Sequence, residues 1–208
     1  MILHTFGDSH CVYPWRNIQI DELSIKTNHL GAKTCASFGF EKLNLNIKNR
    51  GVREGDMICF CFGEIDCRSH ICKPENFKMY KNLIDEIVSR YFETIKLNVE
   101  QYSSLIVMVF NVIPTCKITP IIMFKDPIFP HVGTDEERKC VVMHMNNQLE
   151  KYCKEYNYIF FDVYDQYCDK DGFLDLSFSD DSVHITNEIH IKNYIISKVK
   201  EVSGYGKI

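Results

Sequence analysis

No stretch of this 208-residue chain approaches the roughly 18 consecutive apolar residues of a membrane span. The apolar run Met1 to Phe6 is too short for the core of a secretory leader. The expectation is a cytoplasmic protein with no membrane partner. Surplus positive charge is also missing: 24 lysines and arginines against 28 aspartates and glutamates leave a formal charge of -4. A nucleic-acid binder gathers phosphates with a basic field, so nucleic acid is not expected as a partner. There is a single tryptophan, and there is no repeat, low-complexity tract or block of like charge. Solenoids and charged interaction tails are thereby excluded.

Cysteine, by contrast, is plentiful, with ten residues. Cys59, Cys61, Cys67 and Cys72 cluster, yet their spacing is C-x-C-x5-C-x4-C, without the paired C-x2-C knuckles or His spacing of structural zinc sites. Cys59 and Cys61 alternate along an apparent buried strand, where a free thiol behaves as a small hydrophobe. Reduced thiols, no metal and no other cofactor are expected. With 45% hydrophobic and 12% aromatic residues the chain can bury one sizeable core, which fits a single domain over 1–208.

Five apolar runs have strand length and composition: Ile2–Phe6, Ala32–Phe38, Met57–Phe62, Ser104–Val112 and Tyr158–Val163. Helical periodicity lies between and after them, over Phe77–Leu97, over Thr134–Tyr156 with a capping-box start, and over Ile185–Val202. Strands alternating with helices predict an α/β fold with a parallel sheet covered on both faces. One long irregular stretch, Pro114–Gly133, carries Pro114, Pro120, Pro127 and Pro130 with Phe124 and Phe129. It follows the fourth expected strand and is placed to hang over the strand ends.

Chemistry concentrates at the two ends of the chain. The first run stops at Gly7-Asp8-Ser9-His10, which reads either as a nucleophile on a strand-to-helix turn or as an ordinary Asp/Ser cap. Far downstream, Ser179-Asp180-Asp181-Ser182-Val183-His184 precedes the last helix. An aspartate and a histidine three apart can sit side by side, the carboxylate fixing the imidazole tautomer, and so supply the base that a serine needs. In that spacing Asp181 pairs with His184, and Asp180 falls outside it.

With both blocks in this order, the chain resembles the SGNH hydrolases, the GDSL-type lipase and esterase superfamily. The resemblance runs over essentially the whole chain. It implies a three-layer, flavodoxin-like sandwich with a five-stranded parallel sheet, cofactor-free acyl chemistry, and a triad of Ser9, His184 and Asp181. It also implies an oxyanion hole built from the N–H of Ser9, a glycine N–H and an asparagine amide. Gly39, after the second expected strand, is the choice for the glycine, ahead of Gly31. The third block departs from the pattern: Gly63-Glu64-Ile65-Asp66 puts Ile65 where the asparagine belongs, and isoleucine donates no hydrogen bond. The run through Cys67 and Arg68 is similar to a subgroup met near polysaccharide-modifying enzymes.

Further residues fall near the same rim. His10, Glu64, Asp66, Arg68, His70 and Asn111 are candidates for substrate contact, each with a plainer alternative: an Arg68 salt bridge to Glu64 or Asp66, a backbone bond for His10, a loop anchor for Asn111. Tyr13 and Trp15 form either an aromatic platform or core. Three functions fit: an esterase removing acetyl or another short acyl group from a glycan or small molecule, an acyltransferase on the same triad, and a non-catalytic carbohydrate-binding domain. The oligomeric state is not written in the sequence.

Overall fold

The computed structural model describes residues 1–119 and 128–205, with the side chains of the last helix described as far as Glu201. Five parallel strands form one sheet in the order β2-β1-β3-β4-β5: β1 (Ile2–Gly7), β2 (Ser24–His29), β3 (Met57–Cys61), β4 (Ile106–Phe110) and β5 (Ile159–Phe161). This is the doubly wound flavodoxin-like order, with its switch point between β1 and β3. Every residue of the central β3 is buried, as expected for a parallel strand with both faces covered.

Alternate residues of the strands feed two cores. Phe6, Ile58, Phe60 and Val109 face α1 (Cys35–Phe40), α3 (Tyr80–Val99) and α4 (Asp135–Tyr156), and a short α2 (Pro74–Phe77) precedes α3. Leu3, Met57, Cys59, Met108 and Phe161 face Trp15 and the residues Ile191 and Ile195 of α5 (Ile189–Tyr205). The period-2 alternation of a strand thus splits β3 cleanly, its cysteines going to one face and Ile58 and Phe60 to the other.

Two expected elements are corrected. Ala32–Phe38 is not a strand: Thr34 caps a helix there, its side chain accepting from Ser37 N–H while the Ser37 hydroxyl accepts from Thr34 N–H. The carboxylate of Asp66 closes the same helix end, accepting from Cys35 N–H at 2.7 Å and Ala36 N–H at 3.1 Å. The second strand is instead Ser24–His29, a sheet edge whose residues alternate between exposed and partly buried except for the buried Asn28. It lacks an apolar run because only one of its edges and little of its surface meets the core. The last helix begins at Ile189, later than Ile185, because Ser179 and Ile185 pair in an antiparallel bridge that closes a tight loop first.

All ten cysteines are unbridged, and all but Cys140 and Cys168 are buried. Burial pushes the Cys61 and Cys67 thiols well above their ordinary range. Among the described residues no helix is long and apolar enough to cross a membrane. Of the Pro114–Gly133 stretch, Pro120, Phe124 and Pro127 lie outside the described residues.

Candidate active site

β1 ends in a glycine for a steric reason. A Cβ at Gly7 would run into the carbonyl oxygen of Cys61 on the neighbouring strand, so only glycine lets β1 lie this close to β3 and then turn. Asp8 caps the turn that follows, accepting from His10 N–H at 2.9 Å, and Ser9 opens a single 3-10 turn, Ser9–Cys11. The serine is thereby held at the carboxyl end of the sheet, where open α/β folds bind ligands.

The second half of the site is the loop closed by the Ser179–Ile185 bridge. Inside it Asp180 N–H donates to the carbonyl of His184 at 3.1 Å, and His184 N–H donates back to Asp180 Oδ1 at 3.2 Å. Asp181 sits at the tip in the left-handed region, with φ of 59°. Across this loop Asp180 Oδ2 lies 2.8 Å from His184 Nδ1, and His184 Nε2 lies 2.8 Å from Ser9 Oγ. The carboxylate on the imidazole is therefore Asp180 rather than Asp181: the loop is a closed turn, not the first turn of a helix, so residues four apart face each other. Tyr13 lies flat on the His184 ring, 4.1 Å between centroids and 15° between planes, and fixes its orientation from the side.

A cavity of about 470 Å³ opens over this chain of contacts. Among the described residues it is lined by Ser9, His184 and Asp180 with His29, Ala32, Ile65, Arg68, Phe129, His131 and Ser182. His29 escaped the sequence reading because it ends the hydrophilic strand β2; its one signal is its place just before Gly31, at the end of that strand. Ile65 faces the cavity without a donor.

Several expected contacts fall elsewhere. Gly39 lies inside α1, packed so tightly on α3 that a Cβ would come within 2.9 Å of the Arg90 backbone, and it does not reach the cavity. The residues at and just after the end of β2 that line the cavity are His29 and Ala32. Asp66 is consumed in capping α1, and burial pushes its carboxyl up to about 6. Asn111 ties strand ends together, its Oδ1 accepting from Val163 N–H at 3.0 Å and its Nδ2 donating to the Val112 carbonyl. His70 does not line the cavity; its ring meets Phe129 edge-on at 6.0 Å, and burial lowers its pKa. Trp15 is core, fully buried against Phe110 and Phe161, with its indole N–H on the His10 carbonyl.

Arg68, in the cavity wall, leads into a buried charge cluster. Arg68 Nε donates to Glu64 Oε1 at 2.7 Å, and Arg68 also bonds the Phe129 carbonyl, fastening the end of the long loop together with a Ser69 hydroxyl bond to the Pro130 carbonyl. Burial alone would raise the Glu64 carboxyl; Arg68 and then His10 outweigh it and hold it below the usual range. Burial, and then the positive charge of His10, hold His184 below its ordinary 6.5 against the pull of Asp180. A neutral imidazole with Nδ1–H donated to a carboxylate and Nε2 open to a serine hydroxyl is equipped to accept that hydroxyl's proton.

No family model and no curated protein matches the sequence. Solved structures do match. A GDSL-like lipase from Bacteroides thetaiotaomicron aligns over 97% of this chain and 88% of its own with a TM-score of 0.62 at 15% identity. A catalytic mutant of an acetylxylan esterase from Geobacillus stearothermophilus aligns over 95% and 93% with 0.60 at 11%. A phospholipase A1 from Streptomyces albidoflavus aligns over 95% and 98% with 0.57 at 10%. The strand order, the helices on both faces and these near-complete overlaps lead to one conclusion: the chain has the fold of the GDSL-type lipases and acylhydrolases.

Proposed function

We propose that the protein is a serine hydrolase of carboxylic esters, belonging to the SGNH superfamily, that removes acetyl or another short acyl group from a polar, carbohydrate-like substrate. One observation carries the reading: the unbroken chain Ser9 Oγ, His184, Asp180, with both contacts at 2.8 Å. His184 takes the serine proton as Oγ attacks the acyl carbonyl, and Asp180 stabilises the imidazolium that forms. The proton then passes to the leaving alcohol, and water repeats the cycle on the acyl-serine.

The carbonyl oxygen that becomes negative needs donors already aimed at it. The N–H of Ser9 is one. The backbone of Ala32, which lines the cavity, replaces Gly39 as the second. Ile65 leaves the side-chain donor of the resembled family unfilled, so a slower enzyme is expected.

Fold alone does not choose the substrate, as the lipase, phospholipase and acetylxylan esterase sharing it make plain. The cavity lining is mixed, His29, Arg68, His131, Asp180 and Ser182 standing beside Ala32, Ile65, Phe129 and Val183. The carbohydrate reading is supported by the acetylxylan esterase and the carbohydrate acetylesterase among the structures that share the fold. The test is hydrolysis of p-nitrophenyl acetate and acetylated sugars, with covalent labelling by a fluorophosphonate. Labelling that persists unchanged in Ser9→Ala, or absence of turnover on every ester, overturns the reading.

A further inference from the structure

We propose that His10 is a protonated positioning residue, whose imidazolium clamps the Ser9 turn to the Asp180–His184 loop and keeps His184 in its neutral, proton-accepting form in weakly acidic solution. The inference rests on the hydrolase reading for its consequence but on the geometry of His10 for its substance.

His10 Nδ1 lies 3.0 Å from Asp8 Oδ1 and Nε2 lies 3.1 Å from the Val183 carbonyl. Both partners are acceptors. Only a ring carrying both protons donates to both, whereas either neutral tautomer would point a nitrogen lone pair at an oxygen lone pair. One bond reaches back to the cap of the Ser9 turn and the other reaches the residue next to His184. The two halves of the site, 175 positions apart in sequence, are thus joined by one planar ring.

Burial makes this charge consequential. His10 is 6% exposed and Asp8 1%, and a buried charge persists only when it is paired. The charges are paired, Asp8 with His10 and Glu64 with Arg68, while Asp8 Oδ2 and Glu64 Oε2 are buried without a hydrogen-bond partner among the described residues. Burial alone would strip the His10 proton, but Asp8 and then Glu64 outweigh it and the pKa is pushed up to about 9. Every titratable neighbour fits. Asp8 faces the ring from its own turn, Glu64 and the neutral Cys61 thiol face it from the end of β3, and His184 faces it from the last loop, 5.2 Å away between ring centroids.

His184 in turn meets Ser9, the Tyr13 ring, Asp180 and His10, and feels Glu64 at longer range. Asp180 and Glu64 favour its protonated form; His10 opposes them. At an effective dielectric of about 20, two positive rings at this spacing repel enough to move a titration by about two pH units, and solvent reaching the partly exposed His184 reduces this to about one. A base that stays neutral lower on the pH scale extends activity toward acid.

The test measures ring protonation by nitrogen NMR and kcat/KM for p-nitrophenyl acetate from pH 5 to 9, in wild type and His10→Gln, which keeps a donor but carries no charge. The wild-type His10 ring is expected to show two protonated nitrogens at pH 7.5. In His10→Gln the His184 titration and the acid limb of kcat/KM should both move up by about one unit, so that the activity loss is about tenfold larger at pH 5.5 than at pH 8. A purely structural role would lower activity equally at both. A wild-type His10 ring with one proton at pH 7.5 overturns the proposal even if His10→Gln does not fold, and so does an unmoved His184 titration in a folded variant. Absence of ester hydrolysis with the His184 shift intact would instead sink the hydrolase reading and leave the coupling standing.

Discussion

Replacing Asp180 and Asp181 separately by asparagine distinguishes two neighbouring carboxylates that differ only in which way the loop turns them. Asp180 Oδ2 sits 2.8 Å from His184 Nδ1, which puts the charge centres about 4 Å apart when His184 takes the serine proton. At an effective dielectric of 20 that attraction is about 4 kcal/mol, or about a thousandfold in rate. The Asp180 side chain is 31% exposed, so water screens part of this, and the expected loss of kcat/KM in Asp180→Asn is about a hundredfold or somewhat more. Asparagine also fits the site in size, so the loss reports charge and tautomer rather than packing. Asp181→Asn should cost less than about threefold, since its carboxylate is not the one on Nδ1. The assay is initial-rate hydrolysis of p-nitrophenyl acetate at pH 8, with melting temperature as a check on folding. A larger loss in Asp181→Asn than in Asp180→Asn would refute the assignment of the third member.

Two further outcomes follow from the buried groups. The folded pKa of His10, raised to about 9 from 6.5, contributes stability that is fully present below pH 6.5 and is lost as pH rises through 9. The amount is roughly 3 kcal/mol, and thermal melts from pH 6 to 10 should fall accordingly, with a shallower fall in His10→Gln; parallel curves for the two proteins would contradict the charge on His10. Gly7→Ala places a methyl against the Cys61 carbonyl, and separating β1 from β3 to make room should cost upwards of about 3 kcal/mol. Urea unfolding measures it, and a midpoint unchanged from wild type would mean that the turn after β1 is looser than its geometry.

The central strands, the long helices and the residues Ser9 and His184 were legible without a structure, because each is announced by local chemistry. A fully buried parallel strand needs an apolar run, and Met57–Cys61 has one. A capped amphipathic helix needs Thr134 three residues before Glu137. A turn that must follow a close strand approach needs Gly7. The edge strand Ser24–His29 was illegible for the opposite reason: with few of its residues buried, nothing in its composition sets it apart from a loop, and the apolar Ala32–Phe38 beside it looked more like a strand than the capped helix start it is.

Glycine and aspartate at the site were decided by tertiary structure alone. Gly39 ranks ahead of Gly31 in sequence because it follows the second expected strand; the packing of α1 on α3 buries it away from the cavity, which Ala32 lines instead. Asp180 and Asp181 are chemically identical neighbours. What separates them is the bridge between Ser179 and Ile185, which closes the loop with Asp181 at a left-handed tip and Asp180 on His184, a ring that the packing of the loop against β1 then brings to Ser9. His10, a cap-region residue by its sequence, acquires its second acceptor only when Val183 arrives from the other end of the chain. Local propensities encode elements, but which of two equivalent side chains meets a partner is set by contacts whose sequence separation leaves no local mark.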